Sequence, residues 1–156
     1  MQLDPLPEGT QPLVPYLVIK GCAKAMEFYK KVMMAEEVMR LKSPDGKSVM
    51  HAEMRIAGCM LYLADEMPEM GHRSPLSVGG TPVSMALYCA DADKVFNRAI
   101  QAGAKAECPM ADQFYGCRSG TLTDPFGHRW TLMTRKENLS EREIQQRAKK
   151  MMASKA

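Results

Sequence analysis

The chain has 156 residues, 46% hydrophobic and 25% charged, with 21 basic against 18 acidic side chains and a formal net charge of +3. That mix suits one compact soluble domain or two small fused modules, and it excludes disordered, collagen-like and fibrous chains. A surplus of three dispersed charges is too small for a nucleic-acid or membrane surface, so neither partner is expected.

No apolar run approaches the roughly 18 residues of a membrane span, and a start carrying Pro5, Pro7 and Pro12 beside Asp4 and Glu8 does not read as a signal peptide. A cytoplasmic location is expected. The cysteines Cys22, Cys59, Cys89, Cys108 and Cys117 are odd in number and form no C-x-x-C pair. Buried or half-buried free thiols in a reducing compartment are therefore expected, rather than a zinc ribbon or a disulfide scaffold. Methionine occurs 15 times while aromatics make up only 6%. A flexible, polarisable side chain in that excess suits an irregular core or an adaptable pocket wall.

In chain order, residues 15–20 (PYLVIK) read as a strand. Over 23–34 the apolar Ala25, Met26, Tyr29, Val32 and Met33 recur at three- and four-residue spacing and predict a helix. Residues 38–42 look extended and run into the turn Ser43-Pro44-Asp45-Gly46. Residues 48–56 alternate, with Met50, Ala52, Met54 and Ile56 on one face and His51, Glu53 and Arg55 on the other. Gly58 marks a tight return into a strand over 59–64, and the Pro- and Gly-rich 65–80 reads as a linker.

The pattern then repeats. A strand over 82–89 leads to a helix capped by Asp91, carrying Val95, Phe96, Ala99 and Ile100 and closed by Gly103. Extended segments follow over 105–108, 118–123 and 128–134. Subtraction supports a duplication: Leu17 and Met85, Ile19 and Leu87, Phe28 and Phe96, and Val32 and Ile100 each differ by 68. Gly58 and Gly127, Leu61 and Trp130, and Leu63 and Leu132 each differ by 69. Beyond the second module, Ser140-x-x-Glu143 is a capping box with Leu139 and Ile144 placed as a staple, so a helix starts at Ser140. Its stripe of Ile144, Ala148, Met151 and Met152 covers the body of the chain or a second subunit, unless the segment, with Lys149, Lys150 and Lys155, is a frayed basic tail; the covered stripe is preferred, and a homodimer is expected. The resulting division is an N-terminal arm 1–13, a first module 14–64, a linker 65–80, a second module 81–136 and a C-terminal helix 137–156. The fold class is α+β: two tandem βαβββ modules plus the C-terminal helix.

These stretches resemble the vicinal oxygen chelate superfamily of glyoxalases, bleomycin-resistance proteins and extradiol dioxygenases, and within it the PhnB-like branch. The resemblance rests on Pro15-Tyr16-Leu17-Val18, Ala25-Met26-Glu27-Phe28-Tyr29, His51-Ala52-Glu53, Asp112-Gln113-Phe114-Tyr115-Gly116-Cys117-Arg118 and Asp124-Pro125-Phe126-Gly127-His128, in that order. It covers roughly residues 13–152. Tyr115 stands where the branch usually has Trp, and Cys117 where it often has Asp. The resemblance implies that the modules form a glyoxalase-like cupped mixed sheet, and that in metal-dependent members the ion is held by His, Gln or Glu from the first and last strands of both modules. The matching positions here are Tyr16, Tyr62, Ser84 and Thr131, none a usual divalent-metal ligand. No metal and no other cofactor is therefore expected.

Taking those four positions as inward-facing and stepping by two gives a cup lining of Tyr16, Val18, Met60, Tyr62, Ser84, Ala86, Tyr88, Arg129, Thr131 and Met133, joined by His51, Glu53 and Arg55. Such a lining suits a small organic ligand with an apolar body and one anionic or carbonyl end held by Arg129 or Arg55. His51 and Glu53 share a strand face and form a candidate catalytic acid/base pair. The plainer reading, an ion pair between Glu53 and Arg55 with a hydrogen-bonded His51, is preferred. A metal held by His51 and Glu53 lacks a partner from the other module. His128 is expected to be structural beside its turn, and His72 solvated. The segment 109–118 reads as a loop at the pocket rim, in which Phe114 and Tyr115 either form a lid or anchor the loop. Cys117 beside Arg118 is not expected to be a nucleophile. Small-molecule binding is thus the leading reading. The alternatives are a glyoxalase-like lyase, isomerase or dioxygenase using His51 and Glu53, and a drug- or toxin-sequestering protein.

Overall fold

The computed structural model describes residues 4–154, so residues 1–3 of the predicted arm and the last two of the C-terminal segment lie outside it. The element order is β1 (Tyr16–Ile19), α1 (Cys22–Met33), β2 (Glu36–Lys42), β3 (Val49–Ile56), β4 (Cys59–Asp65), α2 (Pro75–Val78), β5 (Ser84–Tyr88), α3 (Ala92–Gln101), β6 (Lys105–Asp112), β7 (Cys117–Thr123), β8 (Arg129–Arg135) and α4 (Glu141–Ala153). Two four-stranded mixed sheets result, ordered β1-β4-β3-β2 and β5-β8-β7-β6. In each, the first strand runs parallel to the last and the remaining pairs are antiparallel. No helix among the described residues is long and apolar enough to cross a membrane.

The chain divides into two compact units. One holds the residues up to Pro82 together with Pro125–His128; the other holds Val83–Asp124 and the residues from Arg129 onward. In the first unit, α1 buries the predicted Ala25, Met26, Tyr29, Val32 and Met33, and also Cys22 and Phe28. They meet Leu17, Ile19, Ala52, Met54, Ile56, Leu61 and Leu63, the alternate residues of β1, β3 and β4. In the second unit, α3 buries Ala92, Val95, Phe96 and Ala99, and the sheet contributes Leu122, Trp130 and Leu132. The Trp130 indole N–H donates to the buried Asp124 carboxylate at 3.0 Å, which satisfies a polar group inside this core.

Several sequence expectations need correction. Met50 does not share the buried face of Ala52, Met54 and Ile56. The β2–β3 register jumps so that Leu41 faces His51 while Lys42 faces Val49, leaving Met50 as the extra residue of a bulge. Parity shifts there, so Val49 is buried and Met50 is 45% exposed. The segment 65–80 is not a plain linker: Asp65 closes β4, Pro68–Met70 is a 3-10 turn and Pro75–Val78 is helical. Glu66 organises it by accepting from the Ser74 N–H (3.0 Å) and the Ser77 hydroxyl (2.6 Å). Those bonds, Ser77 first, hold the Glu66 carboxyl down to about 2. The loop expected over 109–118 shrinks to a hairpin turn, because β6 runs to Asp112 and β7 starts at Cys117.

The repeat is real but its offset at the first strands is 70, not 68. Tyr16 pairs with Tyr62, whereas Ala86, not Ser84, pairs with Thr131 (86 − 16 = 70; 131 − 62 = 69). The helix starts agree: the Cys22 N–H is bonded by Asp65 and the Ala92 N–H by Thr134 (92 − 22 = 70; 134 − 65 = 69). Because α1 has 12 residues and α3 has 10, the helices absorb the difference and Phe28 and Phe96 return to 68. A shift of two preserves strand parity, so Ser84 and Ala86 still share one face.

The capping box at Ser140 is present, with the Ser140 hydroxyl accepting from the Glu143 N–H and the Glu143 carboxylate accepting from the Ser140 N–H. None of the α4 side chains is buried: Ile144, Ala148 and Met151 are half-buried and Met152 is exposed.

The cysteines also depart from expectation, since Cys59 and Cys108 are exposed. Cys22 and Cys117 are buried and Cys89 is intermediate. Burial, and then the Asp65 carboxylate, push the Cys22 thiol up to about 12, and burial raises Cys89 as well. Labelling of the native protein with a maleimide at neutral pH should therefore modify Cys59 and Cys108 quickly and leave Cys22 and Cys117 until unfolding. Equal labelling rates at Cys22 and Cys59, read by peptide mass spectrometry, would contradict this burial.

Candidate functional site

The side of the first sheet turned away from α1 collects the residues that can do chemistry. Strand alternation puts Tyr16 and Val18 of β1 there, with Met60 and Tyr62 of β4 and His51, Glu53 and Arg55 of β3. The register adds two residues of β2 that sequence reasoning missed: Met39 opposite Glu53 and Leu41 opposite His51. The available signal was the alternation of 38–42, which the neighbouring bulge between Glu37 and Met39 hides.

At the centre, the Tyr16 hydroxyl lies 2.8 Å from His51 Nδ1, and His51 Nε2 lies 3.4 Å from Glu53 Oε1. A phenol has one proton to give, so donation from Tyr16 to Nδ1 places the imidazole proton on Nε2, facing the carboxylate. Three rings meet edge-on around this chain: Tyr16 and His51 at 5.4 Å, His51 and Tyr62 at 5.0 Å, and Tyr16 and Tyr62 at 5.8 Å between centroids. Tyr16 is 53% exposed, and the His51 and Glu53 side chains are each 24% exposed. Burial first, and then repulsion from the Cys22 thiolate where that group ionises, raise the Tyr16 phenol above its ordinary value, so this group keeps its proton at neutral pH.

The preferred Glu53–Arg55 ion pair does not form. Glu53 turns to His51 instead, and Arg55 Nη1 donates to the carbonyl oxygens of Gly9 (2.8 Å) and Gly58 (3.4 Å). Gly9 suits that approach: its φ is +71°, and a Cβ there would lie 3.1 Å from Arg55 Nη2. The arm is held again by Gln11, whose side-chain amide donates to the Met60 carbonyl (2.6 Å) and accepts from the Met60 N–H (2.8 Å). Met60 itself is only 3% exposed, so on its predicted face it is a packing residue.

The second unit carries a different, hydroxyl-rich face. Thr131 Oγ1 lies 3.3 Å from Ser84 Oγ and 3.1 Å from Thr121 Oγ1, and Tyr115 Oη lies 3.0 Å from Ser119 Oγ. Arg129 is already matched by Glu107 at 2.6 Å, and Glu107 also accepts from Thr123. That pairing makes Arg129 a poor holder for a ligand anion. Tyr88 is exposed and Met133 is buried. Phe114 and Tyr115 meet edge-on at 5.2 Å in the hairpin turn, both half-buried. Cys117 is buried, and the neighbouring Arg118 guanidinium is gripped by Asp93 through two bonds of 2.7 and 2.8 Å. His128 is buried and donates from Nε2 to the Val18 carbonyl at 3.1 Å, and His72 is exposed, as expected for both.

The metal implied by the resemblance does not fit these donors. Tyr16 Oη is engaged by His51, and Ser84 and Thr131 are bonded to each other, so the four positions offer neutral hydroxyls where imidazole or carboxylate is needed. Among the described residues no three His, Cys, Asp or Glu side chains come together.

Comparison with known proteins agrees with the fold. An uncharacterised protein of Mycobacterium tuberculosis (strain ATCC 25618 / H37Rv) is 45% identical over 123 residues, covering 77% of this chain and 72% of that one. A PhnB protein from Bacillus cereus superposes with a TM-score of 0.63 at 21% identity, over 80% of this chain and 99% of its own. The fosfomycin resistance protein FosX of Listeria monocytogenes, solved with Mn(II) and a sulfate ion, gives 0.62 at 19% identity, over 85% of this chain and 96% of its own. The family model for the Glyoxalase/Bleomycin resistance protein/Dioxygenase superfamily matches residues 13–132, and with the paired βαβββ units this chain belongs to that superfamily.

Proposed function

We propose that the protein is a PhnB-like member of the superfamily that binds a small organic molecule on the α1-distal face of its first sheet, without a divalent metal at the inherited positions. The observation that carries this reading is the edge-on cluster of Tyr16, His51 and Tyr62, with Tyr16 half exposed and Met39 and Leu41 beside it. An apolar body would rest on those rings and side chains. An anionic or carbonyl end would go to Arg55, whose described partners are backbone carbonyls, rather than to Arg129, which Glu107 neutralises. The donor chemistry at Tyr16, Tyr62, Ser84 and Thr131 supports the metal-free part of the reading.

Thermal-shift screening with small aromatic and aliphatic carboxylic acids, each beside its neutral amide, tests this. A ligand present at a hundredfold excess over its Kd stabilises by about 2.7 kcal/mol, which is roughly 5–10 °C for a chain of this size. Arg55→Ala and Leu41→Glu should each remove most of the shift, and Arg129→Ala should leave it unchanged. Loss of the shift in Arg129→Ala with retention in Arg55→Ala would move the site to the other unit and end this reading.

A further inference from the structure

Tyr16, one of the four positions that do not suit a metal, belongs to a chain that can do something else. Tyr16, His51 and Glu53 are connected in sequence, phenol to imidazole to carboxylate, at 2.8 and 3.4 Å. Three strands hold them: β1 supplies the phenol, β3 the imidazole and the carboxylate, and β4 lays Tyr62 against both rings. Among the described residues, His51 is bonded by Tyr16 of β1 and Glu53 of its own strand, meets the Tyr62 ring of β4 edge-on and stands opposite Leu41 of β2. Glu53 is thus the charge that can stabilise a protonated His51. Tyr16 uses its hydrogen toward His51, so its oxygen lone pairs remain to meet a ligand from the exposed side.

We infer that Tyr16, backed by His51 and Glu53, recognises an acidic hydroxyl, that of a phenol or an enol, and takes its proton, so that the ligand is held as an oxyanion. This rests on the small-molecule reading above and assigns the ligand class and the contact atom. The proton balance is closed. The ligand O–H bond breaks and its proton goes to Tyr16 Oη, while the original phenol proton passes to His51 Nδ1. The resulting imidazolium keeps its Nε2–H on Glu53, and the ligand oxyanion accepts a hydrogen bond from Tyr16. Nothing is oxidised or reduced, and the charge pair ends as imidazolium and oxyanion separated by one phenol. The histidine ring is suited to this because its two nitrogens face different partners, Nδ1 the Tyr16 hydroxyl and Nε2 the Glu53 carboxylate. Charge-assisted bonds at both ends of the chain favour the transferred state over the neutral one.

The test uses 4-nitrophenol, whose phenolate has a visible absorption band that its phenol lacks. In a buffer about one pH unit below the probe's own pKa, roughly one free molecule in ten is ionised. With the full chain in excess, the phenolate fraction of the bound probe should rise about fivefold. Tyr16→Phe and His51→Gln should return it to the free value, Glu53→Gln should give an intermediate rise, and Arg129→Ala should match the unmodified protein. Far-ultraviolet circular dichroism of each variant separates loss of the chain from loss of the fold. A probe that raises the melting temperature without ionising would overturn the inference and leave the binding reading standing. Ionisation that persists in Tyr16→Phe would overturn the role of Tyr16. No binding of the probe at all would overturn the acidic-hydroxyl class, while the carboxylic-acid screen judges the binding reading on its own.

Discussion

Replacing Asp65 by alanine should destabilise the protein by about 3 kcal/mol, the loss expected when a carboxylate with several backbone bonds is removed. Asp65 closes β4 and does the work of a helix cap from outside the helix. Its Oδ1 accepts from the N–H groups of Gly21 (3.1 Å) and Cys22 (2.8 Å), and its Oδ2 accepts from the N–H of Val49 (2.7 Å). Gly21, at the N-cap of α1, has no side chain with which to cap its own helix, and Val49 is the buried residue next to the Met50 bulge. One side chain therefore fixes where α1 begins and where β3 changes parity, and it does so with a negative charge at the positive end of a helix. Asp65→Asn should lose about half as much, roughly 1.5 kcal/mol, because its one oxygen can serve α1 or Val49 but not both. Thr134→Ala, which removes the corresponding hydroxyl of the second unit, should cost only about 1 kcal/mol, since that group is uncharged and Asp91 still caps α3 from its own position. Equilibrium urea denaturation ranks the three. Loss of the Asp65 carboxylate should also bring the Cys22 thiol down from its raised value, because that charge is one of the two causes raising it. A cost for Asp65→Ala no larger than that for Thr134→Ala would show that the carboxylate does not organise the unit.

Asp65 also marks how far the sequence could be read. The apolar spacing of α1, the alternation in β3 and the order of the two units were legible, because burial on one face imposes a period that composition alone reveals. The family resemblance was legible for the same reason, since its motifs sit at fixed places in that order. What could not be read were the interactions made by one side chain with a distant backbone. Asp65, Glu66 and Ser74 look like loop composition in a Pro- and Gly-rich stretch, yet each has a specific partner. Bulges were hidden as well. One extra residue at Met50 reverses the parity of its flank, and the irregularity beside Val38 concealed that Met39 and Leu41 share the face of His51. At the site, parity correctly put Tyr16, Tyr62, His51 and Glu53 on one face, but which neighbour each side chain chose depended on geometry. Arg55 lay two residues from Glu53 and turned to Gly9, whereas Tyr16, 35 residues from His51, bonded it.

Gly127→Ala should cost about 3 kcal/mol, as the sum of a left-handed backbone strain and crowding against a packed neighbour, each of order 1–2 kcal/mol. The Asp124-Pro125-Phe126-Gly127 motif was visible in the sequence, but the reason for its glycine was not. Its φ is +86°, and a Cβ would lie 2.9 Å from Pro75 Cβ, 3.3 Å from Leu76 Cδ2 and 3.4 Å from the Leu76 backbone nitrogen. Pro75 is a rigid, buried residue at the start of α2, so it cannot swing aside as a long side chain would. The same segment places Phe126 edge-on against Phe28 (6.0 Å) and Tyr29 (6.4 Å) of α1, so a displaced turn would also disturb that aromatic packing. Gly46→Ala is the control. Its φ is +73° with nothing within 4 Å of the added Cβ, so it should pay only the backbone strain, about 1 kcal/mol. The difference between the two variants in urea denaturation isolates the contact with Pro75, at about 2 kcal/mol. Equal losses would mean that the turn glycine is needed for its φ alone, and that α2 does not constrain the segment leading to His128.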